Sequence, residues 1–387
     1  MRCCVLALLT LTLACRGSAP AGVDASRGSA SDGGTPGATS YSRIDVHVHA
    51  DPRLYPLVFR ILNRVGVERL VNLSGGPPGE GLEGALTAAI PYGNRVLTCT
   101  NLQWQHLVEQ DFAARMVADL ERARALGAVC LKVPKALGLG IRRPGEQLMR
   151  VDDERLDRVW QAAGRLGMPV FIHVADPAAF WLPATPQNER YDELRIHPAW
   201  SFADPRFPPR SELLHQFENL LARHPGTTFV GVHFGNDPED VDATDRRMDA
   251  HKNLWIDTAA RVPEIGRRDP ERLRAFFLKH QDRVLFGTDL GVTGGGIMLG
   301  STDGTEPKWP DIARFFALHW RFFEGSERNI PHPTPIQGRW TVNAVGLPPE
   351  VLRKFYADNA MRLLKWPELM PVAPGALEWP PKGTRAP

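Results

Sequence analysis

The chain has 387 residues and a mass of 42.9 kDa, which allows one large α/β domain or two smaller ones. Its 43% apolar and 23% charged residues are typical of a globular protein and exclude a disordered, fibrous or polytopic membrane chain. The 46 basic residues barely exceed the 44 acidic ones, so the composition gives no support for nucleic-acid binding and favours a small-molecule partner.

The N-terminus is typical of an export signal. Met1-Arg2 is followed by an apolar run from Val5 to Ala14, which is too short to span a bilayer. The run ends in Leu-Thr-Leu-Ala-Cys15, which resembles a bacterial lipoprotein signal, where the cysteine carries lipid and cleavage falls before it. We therefore predict a signal peptide over residues 1–14, a lipid anchor at Cys15, and a periplasmic or cell-surface location. Plain secretion and an uncleaved membrane tether are the alternatives.

Residues 15–42 are predicted to form a flexible tether, since 21 of the 27 residues from 16 to 42 are Gly, Ser, Ala, Pro or Thr. Beyond it, only Cys99 and Cys130 remain in the part expected to fold, so no disulfide framework is indicated. Both lie in apolar runs and are predicted to be buried free thiols. A bridge between them is conceivable only if their strands are neighbours and the compartment is oxidising.

From residue 43 onward, short β-branched runs alternate with longer helical stretches, a pattern that predicts βαβ units on a parallel sheet. The helical stretches include Asp111 to Leu126 and Asp152 to Leu166, and after the last strand Ile312 to Phe323 and Pro349 to Leu364. The eight predicted strands are Ile44 to Val48, Val67 to Leu73, Arg95 to Thr100, Ala128 to Val133, Pro169 to Val174, Thr227 to His233, Asn253 to Thr258 and Arg283 to Thr288.

The eight strands span about 245 residues, close to the ~250 typical of a (β/α)₈ TIM barrel. We predict this α/β fold, as a single catalytic domain over residues 43–366 with C-terminal helices, followed by a Pro-rich tail over 367–387. A doubly wound open sheet is the alternative, but it usually needs a Gly-rich turn after its first strand, where this chain has His47-Val48-His49. Long Pro- and Gly-rich connections from Asp176 to Ser211 and from Gly291 to Pro310 are predicted to wall the site.

Residues that can bind metal end four of the predicted strands. Alternation places Asp45, His47 and His49 on one face of the first strand, with the two histidines about 7 Å apart. His173, His233 and Asp289 end the fifth, sixth and eighth strands. Because barrel chemistry gathers at the C-terminal ends of strands, this set predicts a metal centre.

With this set in this order, residues 43–364 resemble the amidohydrolase superfamily, in particular its branch of aminocarboxymuconate-semialdehyde decarboxylase-like proteins. The resemblance implies one divalent ion, commonly zinc, held by His47, His49, His173 and Asp289, with His233 beside the water on the metal. Imidazoles and a carboxylate are donors that suit zinc, and a catalytic site leaves one position open. Asp289 could move a proton, and Asp45 could orient a ligand histidine.

Three cationic side chains have alternative roles in this scheme. Lys132 ends the fourth strand, and in some branches of the superfamily a carbamylated lysine there bridges two metals, so a second metal is an alternative to substrate binding or an ion pair. Arg190 and Arg261 could clamp a substrate carboxylate, or could form salt bridges that fix loops.

The resemblance implies a metal-dependent hydrolase that cleaves a C–N or C–O bond of a small molecule. Two alternatives remain: a non-oxidative decarboxylase of a small unsaturated or aromatic acid, and a non-catalytic surface-anchored binding protein. An arginine near the open metal position would favour the decarboxylase. Oligomerisation is possible, and the membrane is expected as a partner through the lipid anchor only.

Overall fold

The computed structural model describes residues 41–142, 145 and 147–366. The predicted signal peptide, Cys15, nearly all of the predicted tether and the predicted Pro-rich tail therefore lie outside the described residues. Among the described helices, none combines the length and the hydropathy that a membrane span requires.

All eight predicted strands are present and follow one another around a parallel sheet, which confirms the barrel. The ring closes between the first strand and the chain after the eighth, where Val46 N–H donates to Phe286 O at 3.0 Å and Asp289 N–H donates to His47 O at 3.0 Å. In chain order the strands are β1 Ile44–Ala50, β2 Arg69–Asn72, β3 Val96–Asn101, β4 Cys130–Val133, β5 Val170–Ile172, β6 Phe229–Gly231, β7 Leu254–Asp257 and β8 Val284–Leu285.

A long helix follows each strand and packs its apolar face on the outside of the barrel, as βαβ connectivity requires. Three of these helices end in the way their sequence predicts: Gly66, Gly127 and Gly167 take left-handed conformations directly after them. The eight helices are α1 Tyr55–Val65, α2 Leu82–Ala89, α3 Phe112–Leu126, α4 Asp157–Leu166, α5 Arg210–Arg223, α6 Val241–Ala250, α7 Pro270–Lys279 and α8 Trp309–Glu324.

The two connections predicted to wall the site contain ordered structure. The one after β8 forms an antiparallel hairpin of β9 Leu290–Thr293 and β10 Gly296–Leu299, and β9 also pairs with β1. After α8, a second small hairpin joins β11 Ile330–Pro331 and β12 Thr341–Val342. The remaining short helices and turns are Pro52–Leu54, Ile90–Arg95, Trp104–Val108, Ala136–Leu139, Glu154–Leu156, Ala178–Trp181, Tyr191–Ile196, Pro198–Trp200, Val232–Gly235, Val262–Ile265 and Pro335–Gln337.

The C-terminal segment closes the floor of the barrel, below the N-terminal ends of the strands. It consists of helices Pro349–Arg353 and Asn359–Leu363 joined by a π-helical turn, Lys354–Asp358. Asn359 Nδ2 donates to Gln281 O and Val284 O, both at 2.8 Å, just before β8. The segment therefore belongs to the barrel domain and forms no second domain of its own among the described residues.

The two buried cysteines form a disulfide, so the prediction of free thiols was wrong. Cys99 on β3 pairs in register with Cys130 on β4, and their Cα atoms are 4.4 Å apart. Both side chains are fully buried among the apolar residues that fill the barrel. The bridge required the two strands to be neighbours, and β3 does lie beside β4 in the sheet.

Candidate metal centre and active site

A β-bulge in the first strand aims both histidines into the barrel. Pairing with β2 shifts register between Asp45 and Val48, so that three steps on β1 match two on β2. Val46 belongs to the apolar interior of the barrel and Val48 to the core under the outer helices. His47 and His49 then both line the cavity at the C-terminal end of the strands.

The bulge also corrects the prediction for Asp45, which does not share the face of the histidines. Its carboxylate accepts hydrogen bonds from the backbone N–H groups of His47 and Thr288, both at 3.1 Å, and from Thr288 Oγ1 at 2.5 Å. Burial raises the pKa of Asp45 to about 7, although these hydrogen bonds oppose the shift. Asp45 therefore ties β1 to the chain after β8, and it orients no imidazole ring.

Asp257, at the end of β7, holds the ring of His47 instead. Its Oδ2 lies 2.8 Å from His47 Nδ1, so that nitrogen donates its proton to the carboxylate. Burial alone would raise the pKa of Asp257, but His47, hydrogen bonds and Lys132 keep the pKa below its usual value. The opposite nitrogen of His47, Nε2, is buried and has no hydrogen-bond partner among the described residues. A basic nitrogen held in this way is what a metal ion requires.

Gly287 leaves the space that His47 needs. A Cβ atom on residue 287 would lie 2.9 Å from the Cβ atom of His47, closer than such atoms approach in proteins. Glycine at position 287, two residues before Asp289, is therefore required by the close approach of β1.

Asp289 faces both histidines. Its Oδ1 lies 3.5 Å from Nε2 of His47 and 3.5 Å from Nε2 of His49, whose other nitrogen contacts Ser74 Oγ at 2.6 Å. The backbone of Asp289 is left-handed, with φ of 64°, and strain of this kind is common where a side chain must be aimed at a site. Ligand atoms of His47, His49 and Asp289 all lie within 4.8 Å of one another.

His173 lies in the same cavity but faces a different carboxylate. Its Nε2 is 3.2 Å from Asp176 Oδ1, so this nitrogen donates its proton there and Nδ1 keeps the lone pair. Burial lowers the pKa of His173 to about 4, although Asp176 opposes this shift. His173 therefore lies in the same cavity as the other predicted ligands. It is not one of the three residues, His47, His49 and Asp289, whose ligand atoms lie within 4.8 Å of one another.

His233 stands between the other two rings. Its ring centroid is 4.8 Å from that of His47 and 4.4 Å from that of His173. The backbone at His233 is left-handed, with φ of 56°, and its N–H donates to Asp257 Oδ1 at 2.8 Å. Nδ1 lies 2.8 Å from Ala259 O, and a carbonyl only accepts, so Nε2 is the nitrogen with the free lone pair. Burial lowers the pKa of His233 well below its usual value, which keeps the ring neutral.

Lys132 lines the cavity with its ammonium group buried. Nζ has no hydrogen-bond partner among the described residues. Burial lowers the pKa of Lys132 to about 8, while the charges of Asp257 and Asp289 oppose the shift. Nζ is therefore a buried donor that has no partner among the described residues.

The two arginines predicted to clamp a carboxylate differ in position. Arg190 is fully buried, and its guanidinium is held by Glu193 at 2.8 Å and by Glu264, so in this geometry it fixes the loop and does not face the cavity. Arg261 does line the cavity, where NH1 donates to Ala260 O at 2.9 Å and NH2 lies 3.4 Å from Asp176.

Asp176 contacts three other residues of the cavity lining, whereas the sequence pattern indicated only that it begins a loop. It binds Lys135 at 2.5 Å in addition to His173 and Arg261. Burial opposes its ionisation, but Lys135, His173 and Arg261 together hold the pKa of Asp176 well below the usual value. Lys135 also lies over the rings of Phe180, Trp200 and Phe202, 5.2 to 6.0 Å from their centroids.

The cavity has a volume of about 290 Å³, at the small end for a ligand site. Its lining comprises His47, His49, Lys132, Pro134, Lys135, His173, Asp176, Phe180, Glu193, Trp200, His233, Arg261, Asp289, Met298, Gly300 and Gln337.

Comparison with known proteins identifies a family. A family model described as Amidohydrolase matches residues 101–366, more than half of the chain, a range that contains His173, His233 and Asp289 and begins after His47 and His49. A search of curated proteins found no significant match.

Solved structures with this fold share little sequence with the chain. A Staphylococcus aureus protein assigned to the amidohydrolases is 13% identical with a TM-score of 0.50, covering 84% of this chain and 99% of that one. An uncharacterized TIM-barrel protein from Bordetella bronchiseptica is 15% identical with a TM-score of 0.49, again covering 84% and 99%. A 2,6-dihydroxybenzoate decarboxylase from Rhizobium is 16% identical with a TM-score of 0.46 and the same coverage.

Proposed function

The chain belongs to the amidohydrolase family of enzymes, and from this premise we propose that it is a metal-dependent hydrolase that cleaves a C–N or C–O bond of a small molecule. The observation that carries the proposal is the buried Nε2 of His47, which has no partner among the described residues and lies 3.5 Å from Asp289. A buried nitrogen in this state is costly unless a ligand takes its lone pair.

The residues present fit one divalent ion. His47, His49 and Asp289 would hold it, and His173 would complete the set with its lone-pair nitrogen. Imidazole and carboxylate donors suit zinc, and we propose zinc as the ion. Such an ion, when bound, polarises a carbonyl group and makes water more acidic. Lys132 could support a second ion only if it were carbamylated; as the unmodified residue, its buried Nζ, which has no partner among the described residues, would contact the substrate.

We assign proton transfer to the carboxylate of Asp289. The side chain of Asp289 is only 15% exposed, and its carboxylate faces the cavity between two histidines, so it can take a proton from an attacking water and return it to a leaving group. His233, kept neutral by burial, offers Nε2 to orient that water or the substrate. The rings of Phe180 and Trp200 and the Asp176 ion pairs restrict the access of bulk water to the same space.

Non-oxidative decarboxylation of a small unsaturated or aromatic acid is the second candidate. One observation favours it: Arg261 lines the cavity, where a cation could hold a carboxylate beside the metal. A screen of esters, lactones, amides and aromatic acids separates the two candidates. We expect turnover of a hydrolysable substrate that disappears after metal removal and returns with zinc. Release of CO₂ without hydrolysis would favour the second candidate.

We further propose that the enzyme is exported and anchored to a membrane through lipid on Cys15. The signal-like run of residues 1–14 and the composition of residues 15–42 support this proposal. In a bacterial host supplied with labelled fatty acid, the wild-type precursor should carry the label and sediment with membranes, whereas Cys15→Ser should carry none. Label that persists in Cys15→Ser would place the lipid elsewhere, and an unlabelled wild type would leave ordinary secretion.

A further inference from the structure

Four buried polar atoms in the lining of the cavity have no hydrogen-bond partner among the described residues. They are His47 Nε2, Lys132 Nζ, Arg261 Nε and Gln337 Oε1. A metal ion would take the lone pair of His47 Nε2, and the guanidinium of Arg261 is already paired with Asp176 through NH2. Lys132 Nζ, a cationic donor, and Gln337 Oε1, a neutral acceptor, remain.

Gln337 lies in the turn of the hairpin formed by β11 and β12, far in sequence from the barrel strands. Its N–H donates to Thr334 O at 3.0 Å, and Thr334 Oγ1 donates to Leu299 O at 3.2 Å, which links the turn to β10. Gln337 is 2% exposed, and it belongs to the lining of the cavity.

The hairpin is fixed on its other side by Trp340. The indole Nε1 donates to Pro263 O at 2.9 Å, and Arg267 lies over the ring at 4.2 Å from its centroid. Only glycine fits at residue 338, because a Cβ atom there would overlap the Trp340 ring. The turn that carries Gln337 is therefore fixed in the absence of a ligand, and such preorganisation is what substrate recognition requires.

We propose that Gln337 is a specificity-determining residue, which accepts a hydrogen bond from a hydroxyl group on a small carboxylate whose charge is bound by Lys132. The inference rests on the proposed function, since it assigns the substrate class of the same cavity. A buried acceptor without a partner costs about 1–3 kcal/mol, and a ligand that carries a donor recovers this cost.

The charges of the lining support an anionic ligand. Lys135 and Arg261 are both paired with Asp176, and Glu193 is paired with Arg190 and with Ser301. Lys132 is thus the cation in the described lining that lacks an ion-pair partner. A divalent ion beside it would increase the positive potential further, because Asp289 offsets only one of the added charges.

The size and aromatic rings of the cavity suggest the probes. With Phe180 and Trp200 in the lining, a space of about 290 Å³ can take a single-ring acid. We would therefore measure the affinities of benzoate and of 2-, 3- and 4-hydroxybenzoate by calorimetry, on the purified protein with and without zinc. The variants are Gln337→Met, Gln337→Asn and Lys132→Met, with Gln161→Met, an exposed residue of α4, as the matched control.

We expect at least one hydroxybenzoate to bind the wild type and Gln161→Met about 10-fold more tightly than benzoate does. Gln337→Met should bind benzoate normally and lose the preference for the hydroxyl group. Gln337→Asn, which keeps an amide, should retain part of the preference and show that the hairpin still folds. Lys132→Met should weaken the binding of all four acids.

An equal preference in Gln337→Met and the wild type would overturn the proposal, as would a wild type that binds none of the four acids. This binding test is independent of the proposed hydrolase function, because binding is measured without turnover and both with and without zinc. A protein that takes up no metal but shows the Gln337-dependent preference would refute the metal-dependent hydrolase and keep the specificity role.

Discussion

Asp257 and His47 form a buried pair in which a carboxylate oxygen lies 2.8 Å from Nδ1 of the imidazole. The other oxygen of Asp257 accepts the backbone N–H of His233 at 2.8 Å, so one side chain sets the positions of two site histidines. An outer carboxylate of this kind fixes the tautomer of a ligand histidine and raises its basicity.

The first prediction concerns this pair. Asp257→Asn should lower zinc affinity about 10- to 100-fold, because the amide holds the ring less firmly and donates no negative charge to it. Competition with a chromogenic chelator measures the affinity. Asp249→Asn, an exposed carboxylate on α6, is the control, and unchanged affinity in Asp257→Asn would show that the pair serves only the fold.

The second prediction separates metal binding from proton transfer. Asp289→Asn keeps an oxygen for the metal but removes the base, so metal should be largely retained while turnover falls by ~10² to 10⁴. His233→Ala should also keep metal and lose most turnover, whereas His173→Ala should lose both. Near-normal turnover in metal-loaded Asp289→Asn would exclude the assigned role, and the exposed Asp303→Asn provides the comparison.

The third prediction concerns the disulfide. Cys99 and Cys130 are separated by 31 positions, and closing a loop of this length stabilises a chain by about 3–4 kcal/mol. Urea unfolding of protein made in an oxidising compartment should therefore show a loss of this size on adding reductant. The double variant Cys99→Ala with Cys130→Ala should not respond to reductant. Peptide mass mapping that finds both thiols free would contradict the bridge.

A fourth prediction uses His319, which is buried in α8 away from the cavity. Burial lowers its pKa to about 4, whereas an unfolded histidine titrates near ~6.5. The unfolded chain therefore binds the proton first, so stability should be complete above pH ~6.5 and fall as the pH drops toward 4, by at most ~1.4 kcal/mol per unit. His319→Phe should reduce this slope in urea unfolding, to which the other buried histidines also contribute, and the exposed His215→Phe should not change it. Identical slopes in His319→Phe and the wild type would rule out the contribution.

Much of the barrel could be predicted because each strand is a short apolar run and each helix has its own periodicity. His173, His233 and Asp289 could be found for a related reason, since each is a polar residue that follows a buried strand, while His47 and His49 flank Val48 inside β1. Asp257 gives the same signal at the end of β7, but nothing local distinguishes an orienting carboxylate from a loop-fixing one.

The remaining features depend on tertiary contacts. Simple alternation placed Asp45 with the histidines, whereas the bulge in β1, which depends on pairing with β2, turns it away. The disulfide required knowledge that β3 and β4 are neighbours at the level of Cys99 and Cys130. Gln337 reaches the cavity through a hairpin that packs on β10 and Pro263, and no local pattern marks it.

The most direct test of the central claim is the metal content of the purified protein after zinc loading and dialysis, measured by mass spectrometry of the metal. The account predicts close to one equivalent in the wild type and none in the double variant His47→Ala with His49→Ala, with Asp249→Asn equal to the wild type. A double variant that keeps a full equivalent would contradict the assigned centre. Two equivalents in the wild type that fall to one in Lys132→Ala would instead indicate a carbamate-bridged pair.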